Sequence, residues 1–190
     1  MKKDELVRAA ILKAAEAVFR KWGVTKTTME DIAHEAGKGK STLYYYFKSK
    51  EDVLDAAVEA RIARIAGLAR EEIAKKNTAR EKLAVYFYAT FREFRKALAP
   101  YDMGRVGLRT HRDLIDDVLR KVEAVDAEIV ESILSFGLER KEFKSIGRRD
   151  LKATTRAILT IKRSLTIDLF IDNRDKQLID LIIRMLSEAL

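Results

Sequence analysis

Residues 37–51 read GKGKSTLYYYFKSKE, a stretch in which Lys38, Lys40, Lys48 and Lys50 flank Ser41, Thr42 and three successive tyrosines. A core helix does not accept that many ammonium groups, and a plain solvated face has little use for three phenol rings. Ammonium and hydroxyl donors beside aromatic rings are the groups that grip phosphates and touch base edges in a major groove. On a helix, Leu43 and Phe47 lie four residues apart and face inward toward Ile32, Ala33 and Ala36. Lys40, Ser41, Tyr44 and Lys48 then point outward together, Tyr45 lies to one side and Tyr46 is half tucked in.

The charge distribution favours the same segment. Residues 1–50 hold eleven Lys and Arg against six Asp and Glu, a net +5, whereas the other 140 residues contribute only +3 of the total +8. A polyanion partner for the N-terminal part follows, because neutralised phosphates release counterions and drive association.

Other chemistries are poorly served. There is no cysteine, which removes disulfides, thiolate metal sites and cysteine nucleophiles, and fits a reducing, cytoplasmic setting. Two histidines, His34 and His111, are too few for a histidine-rich metal cage, and neither accompanies a Gly-x-Ser-x-Gly motif. No enzyme activity, metal or cofactor is expected. Charges interrupt even the C-terminal IDLIIRMLSEAL, so no run approaches the roughly 18 apolar residues of a membrane span. Asp4, Glu5 and Glu16 spoil the acid-poor pattern of a transit peptide, and a mature protein without a membrane partner is expected.

The elements that must position the segment are helices. One proline, Pro100, and eight scattered glycines punctuate the chain, and nothing alternates long enough to make a strand. Periodicity predicts a helix over about 4–22 ended by Gly23, a short helix over 29–36 opened by the capping box Thr28-Met-Glu-Asp31, and another over 40–47 after a glycine-flanked turn. Two short helices around a tight turn outline a helix-turn-helix. A second cap at Ser49 starts a long helix to about Lys75, and further helices are expected over 79–98, 112–141, 150–171 and 174–190, with a short one within 101–111.

The run from Ile11 to Leu54, ILKAAEAVFRKWGVTKTTMEDIAHEAGKGKSTLYYYFKSKEDVL, resembles the N-terminal domain of tetracycline-repressor (TetR) family transcription regulators. The likeness joins Phe19, Gly23, the Thr28 cap, Ile32-Ala33, Ala36-Gly37 and the closing Thr-Leu-Tyr-Tyr-x-Phe-x-x-Lys. It implies an all-α protein of about nine helices, with a DNA-binding domain over 1–50 and an effector-binding and dimerisation domain over 51–190. It also implies a homodimeric repressor on double-stranded DNA with a palindromic operator, released by a small-molecule effector; an activator, or a regulator controlled by a protein partner, is the alternative. By the same resemblance Lys40, Ser41 and Thr42 enter the groove, Tyr44 and Tyr45 reach backbone or bases, and Thr28, Lys48 and Lys50 hold phosphates. Lys38, Gly39 and Ser41 depart from the family pattern; Lys38 either adds a phosphate contact or snorkels across the turn.

For the effector, Tyr86, Phe87, Phe91, Phe94 and Phe136 are candidate cavity walls, although aromatics at helical spacing equally suit plain core. Arg109, with Arg105 and Arg112, is a candidate for an anionic effector, the other reading being a solvated face, and His111 is a candidate for a sensing group or for a local hydrogen bond. The last two helices carry more apolar surface than one core face needs. Ile158, Leu165, Leu169, Leu178, Ile179, Ile182, Ile183 and Leu186 are therefore candidates for a dimer surface, the other reading being a centrally buried helix.

Overall fold

A computed structural model describes residues 3–98, 112–143, 146–172 and 176–189. Among them there are eight α-helices and no strand: α1 (Lys3–Lys26), α2 (Met29–Glu35), α3 (Lys40–Tyr46), α4 (Lys50–Ala74), α5 (Ala79–Leu98), α6 (Arg112–Glu139), α7 (Leu151–Asp172) and α8 (Lys176–Ala189). The short helix expected within 101–111 lies outside the described residues. The chain forms two compact units, residues 1–61 and 62–190. The boundary falls inside α4 because Val53 and Ala56 of its first turns pack into the N-terminal core.

In the first unit, α1 carries Asp4 and Glu5 in its first turn, where acidic groups suit the positive end of the helix dipole. Its regular geometry breaks at Gly23, whose φ of 77° and ψ of 159° are open to glycine at little cost. The α2 cap is reciprocal. The Asp31 amide donates to Thr28 Oγ1 at 3.2 Å, and the Thr28 amide donates to Asp31 Oδ2 at 2.9 Å. Ile11, Phe19, Met29, Ile32, Leu43, Phe47 and Val53 close the core beneath these helices.

The second unit is built on α5, α6 and α7, with α8 packed against α5. A further reciprocal cap, Thr78 with Glu81, opens α5, and the Ala79 amide donates to Glu142 Oε2 at 2.6 Å. Tyr86, Phe87, Val130, Ile133, Leu134 and Ile158 are fully buried in its core. Gly137 permits a close approach there: a Cβ at that position would lie 2.7 Å from the Ala79 Cβ and would overlap the Phe143 ring.

Candidate nucleic-acid interface and cavity

The turn into α3 is closed by main-chain bonds. Gly37 adopts φ 60°, its amide donates to the His34 carbonyl at 3.0 Å, and the Lys38 amide donates to the Ala33 carbonyl at 2.9 Å. This pairing of the residues after a helix with its last carbonyls is the Schellman motif, and it needs a left-handed residue, which glycine supplies. The Lys38 main chain is thereby used in ending α2, while its side chain stays exposed. Gly39 caps α3 without a side-chain bond, so the helix is held mainly by packing.

That packing orients α3. Leu43 and Phe47 are buried, each worth about 1.5–3 kcal/mol in apolar transfer. Lys40, Ser41, Tyr44, Tyr45 and Lys48 are exposed, and Thr42 is half-buried. Tyr45 is 78% exposed, a large ring left in water on the side opposite the core anchors. Tyr46 instead turns back: its hydroxyl donates to Asp4 Oδ1 at 2.8 Å, a bond that pushes the phenol pKa upward. Its ring meets the Tyr45 ring edge-on at 5.1 Å, and Arg8 lies 5.3 Å from the Phe47 ring, so α1 braces α3 from behind.

The cations differ in what they already touch. Lys40 is ion-paired with Glu30 of α2 and lies 5.8 Å from the Tyr44 ring. The hydrogen bond of this pair raises the Lys40 pKa and holds the Glu30 carboxyl below its ordinary range. Lys50 donates to the Val24 carbonyl at 2.9 Å and the Thr25 carbonyl at 3.4 Å, so its ammonium ties down the end of α1. The Thr28 hydroxyl is engaged in the α2 cap, where its bond to Asp31 Oδ2 is the main cause of that carboxyl's lowered pKa. Lys48 is exposed, while its amide donates to Asp52 Oδ2 at 3.1 Å as part of the α4 cap.

The second unit holds a partly open cavity of about 70 Å³. Ile62, Ile65, Phe91, Leu119, Val122 and Leu159 supply apolar wall, and Asp126 and Lys162 a polar corner. Of the aromatic candidates, Phe91 stands on this wall, whereas Tyr86 and Phe87 lie in the core. Phe136 is half-buried beneath two cations, Lys82 at 4.7 Å and Arg140 at 5.2 Å from its ring. Arg109, His111 and the Phe94 side chain fall outside the described residues.

Among the residues expected at a dimer surface, Ile158 and Leu165 are buried in this core and Ile182 and Ile183 are half-buried against it. The side chains of Leu169, Leu178, Ile179 and Leu186 are outside the described residues. Leu181 and Met185 of α8 are exposed at 46% and 59%.

Sequence reasoning missed the ion pair between Asp126 and Lys162, both buried. Thirty-six residues separate them, on different helices, so no spacing rule joins them. The one available signal was a lysine inside the apolar run AILTIKRSLTI. Burial pushes the nearby Tyr86 phenol far above its ordinary pKa, with the Asp126 charge adding to the effect. Among the described residues no group of three or more His, Cys, Asp and Glu is placed to hold a metal, and no helix is long and apolar enough to cross a membrane.

Residues 11–57 match the family model described as "Bacterial regulatory proteins, tetR family". The chain is 36% identical over 75 residues to the fatty acid metabolism regulator protein of Bacillus subtilis (strain 168), covering 40% of this chain and 39% of that protein. It is 40% identical over 53 residues to the HTH-type transcriptional regulator TtgR of Pseudomonas putida, covering 28% of this chain and 25% of that protein. The aligned stretches thus span well under half of these relatives. The crystal structure of FadR from Bacillus subtilis in complex with stearoyl-CoA is similar over 96% of this chain and 98% of that one, with a TM-score of 0.68 at 23% identity. That likeness is one of fold.

Proposed function

We infer that the chain, whose residues 11–57 match the tetR-family model, is a tetR-type, sequence-specific DNA-binding transcriptional regulator acting from the cytoplasm. One observation carries the reading: Leu43 of α3 and Phe47 at its C-cap are buried, while Lys40, Ser41, Tyr44 and Tyr45 of the helix, and Lys48 just after it, are exposed. An exposed cationic and phenolic helix face is what a major groove accepts. We assign Lys40, Ser41 and Thr42 to the groove, Tyr44 and Tyr45 to bases or backbone, and Lys38 and Lys48 to phosphates.

The active species in this reading is a homodimer whose recognition helices enter successive major grooves of a palindromic operator, about 34 Å apart. The exposed Leu181 and Met185 beside half-buried Ile182 and Ile183 support α8 as part of the dimer surface. Repression is relieved when an effector favours a dimer with a different head separation, since a ligand shifts an equilibrium only through unequal affinity for its two states. FadR was solved with stearoyl-CoA, and the apolar walls around Phe91 support an effector with an apolar chain here too. A regulator controlled by a protein partner is the competing reading, favoured by a cavity of about 70 Å³, since ligand pockets run to roughly 300–1,000 Å³.

Selection of bound sequences from random duplex DNA tests the assignment. A defined palindrome is expected, with Lys40→Ala and Tyr44→Ala each weakening the selected site by about 10- to 100-fold. A shallow, sequence-independent profile overturns it.

A further inference from the structure

The cavity of the second unit has an unusual electrostatic composition. Among the described residues, the four charged ones on its lining fall into two opposite pairs. Lys162 and Asp126 are ion-paired and buried at one corner, and Arg163 and Glu123 lie 3.7 Å apart with their side chains half-exposed. The Lys162 ammonium also lies 4.9 Å from the face of the buried Tyr86 ring, whose hydroxyl completes no hydrogen bond of regular geometry among the described residues. Among the described residues, the only hydroxyl on the wall, Thr90, is already used, donating to the Tyr86 carbonyl at 2.7 Å.

These facts limit the class of ligand. A carboxylate or ammonium brought to the Asp126–Lys162 corner has to break the buried pair or add a net charge beside apolar walls, and both are strongly unfavourable. A wholly apolar ligand fills the walls but gains nothing from the polar corner. A hydroxyl can donate to Asp126 or accept from Lys162, and a carbonyl or ester oxygen can accept from Lys162, while the mutual attraction of the pair stays in place.

We propose that the cavity binds an apolar-chain molecule ending in an uncharged hydrogen-bonding group, and that the Asp126–Lys162 pair reads that group. The Ile62, Ile65, Leu119 and Leu159 side of the wall takes the chain. The cavity of about 70 Å³ holds little more than one or two water molecules, so binding widens it by moving the helices that carry these residues. The proposal rests on the effector reading given above, and it adds the chemistry of the effector's head.

Three eight-carbon probes separate the possibilities: 1-octanol, octanoate and octylamine, titrated calorimetrically into the full chain at pH 7. Octanol is expected to bind at least tenfold more tightly than either ion. The double variant Asp126→Leu with Lys162→Met removes both charges together and leaves no unpaired ion in the core. It is expected to stay folded by circular dichroism and to bind octanol at least tenfold more weakly. Tighter binding of octanoate or octylamine overturns the proposal and leaves an effector cavity standing. Undiminished octanol binding by the double variant overturns it as well, because the pair is then not the reader. If none of the three probes binds, both the proposal and the effector reading fall.

Discussion

The Lys40 ammonium at the start of α3 is ion-paired with the Glu30 carboxylate in the first turn of α2, and both side chains are more than half exposed. The pair places an anion beside the surface assigned to DNA and holds one recognition cation back from it. Exposed pairs of this kind contribute little to stability, so its consequence lies in binding. Glu30→Gln is expected to raise affinity for arbitrary duplex DNA by roughly 3- to 10-fold at low salt and to steepen the salt dependence by up to about one phosphate contact. The same substitution made in Lys40→Ala should have a smaller effect. Equal salt slopes for Glu30→Gln and the parent chain would sink the idea.

Lys48 and Lys50 lie two residues apart and should behave differently. Lys48 is exposed, and Lys48→Ala is expected to weaken binding to every duplex alike and to lower the salt slope by about 1. Lys50 is tied to the Val24 and Thr25 carbonyls. Lys50→Met should cost roughly 1 kcal/mol in chemical denaturation and leave the slope nearly unchanged. A drop in slope for Lys50→Met matching that of Lys48→Ala would show that the amine leaves those carbonyls for DNA.

Gly137 of α6 is pressed against Ala79 and Phe143. Gly137→Ala gains helix propensity, yet the added methyl has no room, and overpacking costs about 1–3 kcal/mol. Urea denaturation should therefore show a lower midpoint. A higher midpoint would mean that the Phe143 ring moves aside without loss.

Much of the fold was legible because its signals are local. The Thr28–Asp31 cap, the break at Gly23 and the inward placing of Leu43 and Phe47 each depend on residues within a few positions, and the structure has all three. The cap at Thr78, with Glu81 three residues on, uses the same local pattern. Of the interface residues, the exposed face of α3 follows from helical spacing alone. The partners that distinguish its cations do not, since Lys50 reaches carbonyls 25 and 26 residues away and the Tyr46 hydroxyl reaches Asp4 across 42.

The sequence by itself determined an all-helical chain with a basic N-terminal helix-turn-helix, because helix period, caps and turn glycines act over one or two turns. Only the tertiary structure decided that Lys40 meets Glu30, that Lys50 faces inward, and that Asp126 and Lys162 share a buried corner beside Phe91. Those pairings depend on which helix faces pack together. That is set by the summed burial of many apolar side chains, and no local spacing encodes it.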